Sequence, residues 1–93
     1  MLAVMFNNRA YYNDWAHQET IARRRGTPTE NAYIGMEIDR PAPDFTAAAR
    51  ALGWHGEGPI RDPDGVRDAV ARAVRVVAEE HRPALVDVIC QPK

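Results

Sequence analysis

Two short apolar runs constrain the fold of this chain most strongly. The first is Leu2-Ala3-Val4-Met5-Phe6, and the second extends from Ala84 to Ile89 with Asp87 as its one polar residue. A strand without polar alternation is typical of parallel sheets, because helices cover both faces of such sheets. Helical and strand patterns alternate between the two runs, which indicates crossover connections in a parallel sheet. We therefore predict an α/β fold.

The predicted architecture is a partial three-layer sandwich with a short, mainly parallel sheet of about three strands and flanking helices. Residues 1–93 are assigned to one small domain because of their number. The connection at 26–43 is predicted to be irregular, since its prolines and glycines break any period. The predicted strands are 2–6, 54–60 and 84–89, and the predicted helices are 11–25, 44–52 and 65–81. In the second helix, one face is expected to carry Phe45, Ala48, Ala49 and Leu52. In the third helix, the apolar stripe is expected to consist of Val66, Val70, Ala73, Val74 and Val77.

Composition argues against several classes of protein. The net charge of −1 is not that of a general nucleic-acid-binding protein, so Arg23-Arg24-Arg25 is interpreted as a solvated helix end. No apolar run reaches the roughly 18 residues of a membrane helix, and no membrane partner is predicted. Cys90 is the only cysteine, which suits a cytoplasmic location.

The sequence shows no catalytic constellation of its own. Serine is absent, and no nucleophile is recognisable beside a base. His17 follows Trp15 on a predicted helix, where it is either a proton relay beside a cofactor or part of a solvated face. We therefore assign no catalytic residue.

The pair Asn7-Asn8 stands where the first predicted strand ends. Ligands of open α/β sheets bind at the carboxyl ends of the strands, and a carboxamide offers Mg²⁺ a hard oxygen without adding charge. The same pair also suits a plain turn, because asparagine accepts left-handed dihedral angles. From these residues alone, a metal ligand and a turn both remain open.

Four segments, in order, resemble parts of one enzyme domain. Residues 4–11, with Asn7-Asn8, resemble the closing half of the thiamine diphosphate signature, which begins with Gly-Asp-Gly and ends in Asn-Asn. Pro41-Ala42-Pro43-Asp44-Phe45 and Asp62-Pro63-Asp64 resemble the starts of two later helices, and residues 83–88 resemble the final strand. The family is that of acetolactate synthase, benzoylformate decarboxylase and pyruvate decarboxylase. Because the match covers essentially the whole chain, the chain resembles the C-terminal part of their cofactor-binding domain.

The resemblance implies a set of site residues. In this family the second asparagine and the backbone carbonyl two residues later bind Mg²⁺, which assigns Asn8 and Ala10 as metal ligands. Tyr11, Tyr12 and Asn13 are then expected beside the diphosphate. Tyr12 departs from the family's glycine, and its ring is equally interpreted as amphipathic packing at a domain edge. The implied cofactors are thiamine diphosphate and Mg²⁺.

The implied activity is that of a larger enzyme acting on 2-oxo acids, by decarboxylation or carboligation. Gly-Asp-Gly does not precede Asn7 in this sequence, so its aspartate ligand is expected from a missing upstream part. We expect the chain alone to be inactive and not to bind the cofactor. The rival hypothesis is a non-catalytic interaction module. The expected partners are accordingly the missing upstream domains or another copy of the chain, paired through an exposed sheet edge.

Overall fold

The computed structural model describes residues 1–91, which fall into two compact units. One unit joins Met1–Asn7 to Asp44–Cys90, and the other is built on Asn8–Pro43. In chain order the elements are β1 (Leu2–Asn7), α1 (Tyr12–Arg25), α2 (Phe45–Ala51), β2 (His55–Ile60), α3 (Val66–Glu80) and β3 (Ala84–Ile89), with a 3₁₀ turn at Pro63–Gly65 before α3. The predicted order of elements is confirmed. None of the helices in residues 1–91 combines the length and apolarity that crossing a bilayer requires.

The three strands form a parallel sheet in the order β1-β3-β2. Val86 of the central strand is paired with Val4 on one side and with Glu57 on the other. The predicted α/β class and three-stranded parallel sheet are thus confirmed.

One face of the sheet packs on α3. Ala84, Val86 and Val88 alternate along β3 towards this face and form a buried core with Ala69 and Ala73. Full burial of a valine such as Val86 stabilises the fold by about 1.5–3 kcal/mol. The predicted stripe of α3 was wrong at Val74, which is 48% exposed. The helix instead turns Ala69, Ala73 and Val76 inward, and the small alanines let it approach the sheet closely.

The opposite face of the sheet carries Met5 and Leu85 and packs on α2. Asp44 caps this helix, since its side chain accepts the N–H of Ala47 at 2.8 Å. Only Thr46 and Ala49 of α2 are buried. The predicted apolar face of α2 is present, because Phe45, Ala48, Ala49 and Leu52 all lie on one side of the helix. With Met5, Trp54 and Leu85 these residues line an open apolar groove.

The prediction that β1 is buried on both faces was also wrong. Val4 is 38% exposed and Phe6 is 77% exposed. The reason is topological: β1 lies at the edge of the sheet, and the core is centred on β3 and α3.

The unit of residues 8–43 contains α1 and the irregular connection. The predicted helix at 11–25 is confirmed as Tyr12–Arg25, and Gly26 ends it in the left-handed conformation with φ 65°. No residue of α1 is buried, so its sparse apolar pattern does not mark a core face. The connection at 26–43 forms turns and an isolated bridge between Ala10 and Glu37, as the predicted irregularity requires.

Candidate functional site

The segment Asn8-Arg9-Ala10 forms a tight turn. The Asn8 side-chain oxygen accepts the N–H of Ala10 at 3.2 Å, and Arg9 adopts the left-handed conformation with φ 56°. Asparagine favours such turns because its short side chain reaches the backbone two residues on. The turn interpretation of this segment is therefore correct as geometry. It does not exclude a ligand role, since a carboxamide oxygen has a second lone pair.

The turn is fixed by the irregular connection. The N–H of Tyr11 donates to the Met36 carbonyl at 2.8 Å, and the N–H of Ile38 donates to the Arg9 carbonyl at 2.9 Å. These two hydrogen bonds flank Ala10, and the Ala10 carbonyl itself takes no part in the bridge to Glu37. The turn therefore presents two neutral oxygens, one from the Asn8 side chain and one from the Ala10 backbone.

An ion pair adds a second restraint on the same segment. Arg9 donates to Asp39 at 2.7 Å, and both side chains are partly shielded from solvent. Sequence reasoning missed this pair, because neither residue belongs to a periodic pattern and 30 positions separate them. The ion pair restrains the backbone of Asn8–Ala10, because Arg9 lies in the middle of this segment.

The start of α1 follows directly after the turn. Tyr11 is the residue preceding the helix, and its side chain does not cap it. The first helical amides, at Tyr12 and Asn13, have no intrahelical acceptor. Such amides, together with the helix dipole, favour an anion at this end. Asp14 is the acidic residue of the first turn.

Aromatic rings surround this helix start. The rings of Tyr12 and Trp15 lie 6.0 Å apart, and those of Trp15 and Tyr33 lie 6.3 Å apart. Trp15 also donates its indole N–H to Glu19 at 3.0 Å. The predicted packing role of Tyr12 is thereby seen, whereas Tyr11 remains 59% exposed. His17 is exposed on the same helix, as the solvated-face hypothesis expects.

The other asparagine of the pair has a different environment. Asn7 belongs to the sheet unit, is 4% exposed, and donates its side-chain N–H to Asp87 at 3.4 Å. Asp87 is 2% exposed. The two asparagines thus divide their roles: Asn7 is bound into the sheet, and Asn8 shapes the turn.

Within residues 1–91 no three His, Cys, Asp or Glu side chains lie close enough to hold a metal ion. A cation at Asn8 and Ala10 would therefore need ligands beyond these two oxygens, because Mg²⁺ takes six in a near-octahedral shell. The two oxygens fit one third of a Mg²⁺ shell that phosphate and other oxygens would complete.

The fold is that of a small α/β domain, and the unit of residues 8–43 carries an amide-lined turn that leads into a helix start. The family model of the thiamine pyrophosphate enzyme, C-terminal TPP binding domain, matches residues 1–88, and the chain belongs to this family. Thiamine pyrophosphate is the same compound as thiamine diphosphate. No curated protein and no solved structure matches the chain significantly.

Proposed function

We propose that this chain supplies the asparagine half of a Mg²⁺–thiamine diphosphate site in an enzyme that acts on 2-oxo acids. The observation that carries the proposal is the Asn8–Ala10 turn. It holds one side-chain oxygen and one backbone oxygen in a three-residue segment, restrained through Arg9 and Tyr11. Both oxygens are neutral, so they bind a cation without competing with the charge of a diphosphate.

The diphosphate would lie at the start of α1. The amides of Tyr12 and Asn13 point out of the helix end, and the Tyr11 side chain leaves them uncapped. Tyr11, Tyr12 and Asn13 would then contact the anion through backbone rather than through charge.

The bound cofactor would supply the carbanion chemistry, and the protein would orient it. In that division of labour, Asn8 and Ala10 hold the cation, and the helix start holds the phosphates. The substrate class, a 2-oxo acid that is decarboxylated or condensed as in acetolactate synthase, rests on the order of the four resembling segments.

The test is an enzyme in which residues 1–88 replace the corresponding segment of a characterised member of the family. We expect Asn8→Ala to weaken Mg²⁺-dependent cofactor retention by at least about tenfold, since one protein oxygen is lost from a shell that tolerates little distortion. Arg24→Ala is the control, because Arg24 lies exposed at the far end of α1. Retention is measured by thiamine diphosphate content after gel filtration with limiting Mg²⁺.

Equal retention by the two variants would remove Asn8 from the ligand set. A graft that folds but never retains the cofactor with Asn8 intact would contradict the proposal as a whole. Turnover of pyruvate against benzoylformate by the active graft decides the substrate class.

A further inference from the structure

Arg9 adopts a backbone conformation that its residue type disfavours. Its φ is 56°, in the left-handed region, where the Cβ of an ordinary residue lies too close to the following carbonyl oxygen. Few residues other than glycine occupy this region, and arginine is not among the enriched types. Because Arg9 stands between Asn8 and Ala10, its backbone angles set the placement of the two oxygens that the turn presents.

The surrounding contacts hold Arg9 in this conformation. Its carbonyl accepts the N–H of Ile38 at 2.9 Å, and the N–H of Tyr11 donates to the Met36 carbonyl at 2.8 Å. The Arg9 side chain donates to Asp39 at 2.7 Å. The segment that ends at Asp39 therefore restrains the turn through its backbone and through a side chain.

The ion pair and the backbone strain are of comparable size. The side chains of Arg9 and Asp39 are 24% and 41% exposed, so solvent weakens their attraction and the pair contributes modestly to stability. A single left-handed arginine costs an amount of the same order. Strained residues persist where the surrounding structure holds them, and they cluster at ligand-binding sites. Loss of the ion pair is therefore expected to shift the equilibrium of the turn.

We propose that Asp39 is a positioning residue of the cation site. Its carboxylate holds Arg9 in the left-handed conformation, and this conformation fixes the Asn8 side-chain oxygen relative to the Ala10 carbonyl. The inference rests on the proposed function, because it concerns the same site. It adds that the connection at 26–43 contributes to cation binding through a residue that is not itself a ligand. Such preorganisation matters because a Mg²⁺ shell tolerates little distortion.

The first test needs no cofactor. Hydrogen exchange of the Tyr11 and Ile38 amides in the full chain measures the opening of the turn. Asp39→Asn should raise both exchange rates about two- to fivefold, the range expected for loss of a partly exposed ion pair. Arg40→Ala is the matched control, because it removes an exposed ion pair of the same connection that does not involve Arg9. Unchanged rates in Asp39→Asn would overturn the proposal.

A second pair of variants tests the backbone strain. Arg9→Ala and Arg9→Gly both delete the ion pair, but glycine populates positive φ about as readily as negative φ. We therefore expect the Tyr11 amide to exchange faster in Arg9→Ala than in Arg9→Gly. Equal rates would mean that the ion pair does not act by holding the left-handed conformation, which would contradict the proposal.

The third test uses the grafted enzyme and measures the Mg²⁺ concentration that gives half-maximal cofactor retention. Asp39→Asn should raise this concentration at least about twofold, because the turn that binds the cation is less populated. In an Arg9→Gly background the same substitution should have no further effect, since Asp39 acts through Arg9. A further loss in that background would show that Asp39 attracts the cation by its own charge, and the positioning role would be wrong.

The outcomes separate this inference from the proposed function. If Asn8→Ala weakens retention and Asp39→Asn does not, the proposed site stands and the positioning role of Asp39 is wrong. If neither variant weakens retention, the proposed site is wrong and the positioning role falls with it.

Discussion

The sheet requires glycine at position 58, because a side chain would not fit there. Its φ is 121°, and a Cβ there would lie 2.5 Å from the Asp87 carbonyl oxygen. That oxygen belongs to the central strand, so it cannot move without disturbing both ladders. The predicted strand at 54–60 contains Gly56 and Gly58. The structure shows that β2 continues through them, with a register shift between Glu57 and Ile60.

We predict that Gly58→Ala lowers the free energy of unfolding by at least about 3 kcal/mol, because backbone strain and a clash add together. Gly53→Ala is the control. Its φ is 83°, but no atom lies within 4 Å of the added Cβ, so it should cost only about 1 kcal/mol of strain. Urea unfolding of the two variants measures the difference. Equal losses would mean that the Asp87 carbonyl yields and the contact does not limit the strand.

At the scale of elements, an ion pair joins β2 to α3. Arg72 donates to both oxygens of Glu57, with the shortest contact at 2.8 Å, and His55 lies 3.0 Å from the same carboxylate. The hydrogen bonds from Arg72 are the main cause that holds the pKa of Glu57 below its ordinary value of 4.5. A lowered pKa contributes stability that is present above the ordinary value and is lost as the pH falls through the folded-state value.

We therefore predict that Glu57→Gln lowers the free energy of unfolding by about 1 kcal/mol at pH 7, the upper range for a pair with one exposed partner. The deficit should shrink as the pH falls below about 4.5. Glu79→Gln, at an exposed position of α3 without an ion pair among residues 1–91, should show no deficit. Denaturant midpoints between pH 3 and pH 7 provide the measurement. A Glu57→Gln deficit that is constant with pH would show that packing, not charge, joins the two elements.

The helices and strands also show which structural features can be predicted from the sequence. The order of strands and helices followed from local signals, because periodicity is a local property. The caps that the structure shows at Asp44 and Gly26 are local features of the same kind. The burial of individual side chains did not follow from these local signals. Phe6 lies in a fully apolar run and is nevertheless exposed, because burial depends on which strand the topology places at the edge. The turn of the candidate site was predictable from Asn8, whereas its restraint by Asp39 is a long-range contact without a sequence signal.

At the scale of the whole molecule, the family assignment does not by itself imply cofactor binding by these residues. Only the Asn8 side-chain oxygen and the Ala10 carbonyl are candidate metal ligands, and residues 1–91 contain no cluster of three acidic, histidine or cysteine ligands. Two neutral oxygens supply one third of a six-coordinate Mg²⁺ shell. The helix start would add hydrogen bonds to a phosphate, but its first turn has no cationic side chain.

We therefore predict that the isolated 93-residue chain shows no saturable binding of thiamine diphosphate in the micromolar range, with Mg²⁺ present. The physical reason is that the remaining ligands must come from solvent and the diphosphate, so the affinity gained over free Mg²⁺–diphosphate is small. Isothermal titration with and without Mg²⁺ is the measurement, and circular dichroism of the same sample controls for folding. A Mg²⁺-dependent micromolar isotherm for the folded chain would mean that these residues form a complete site, and the assignment of half a site would be wrong.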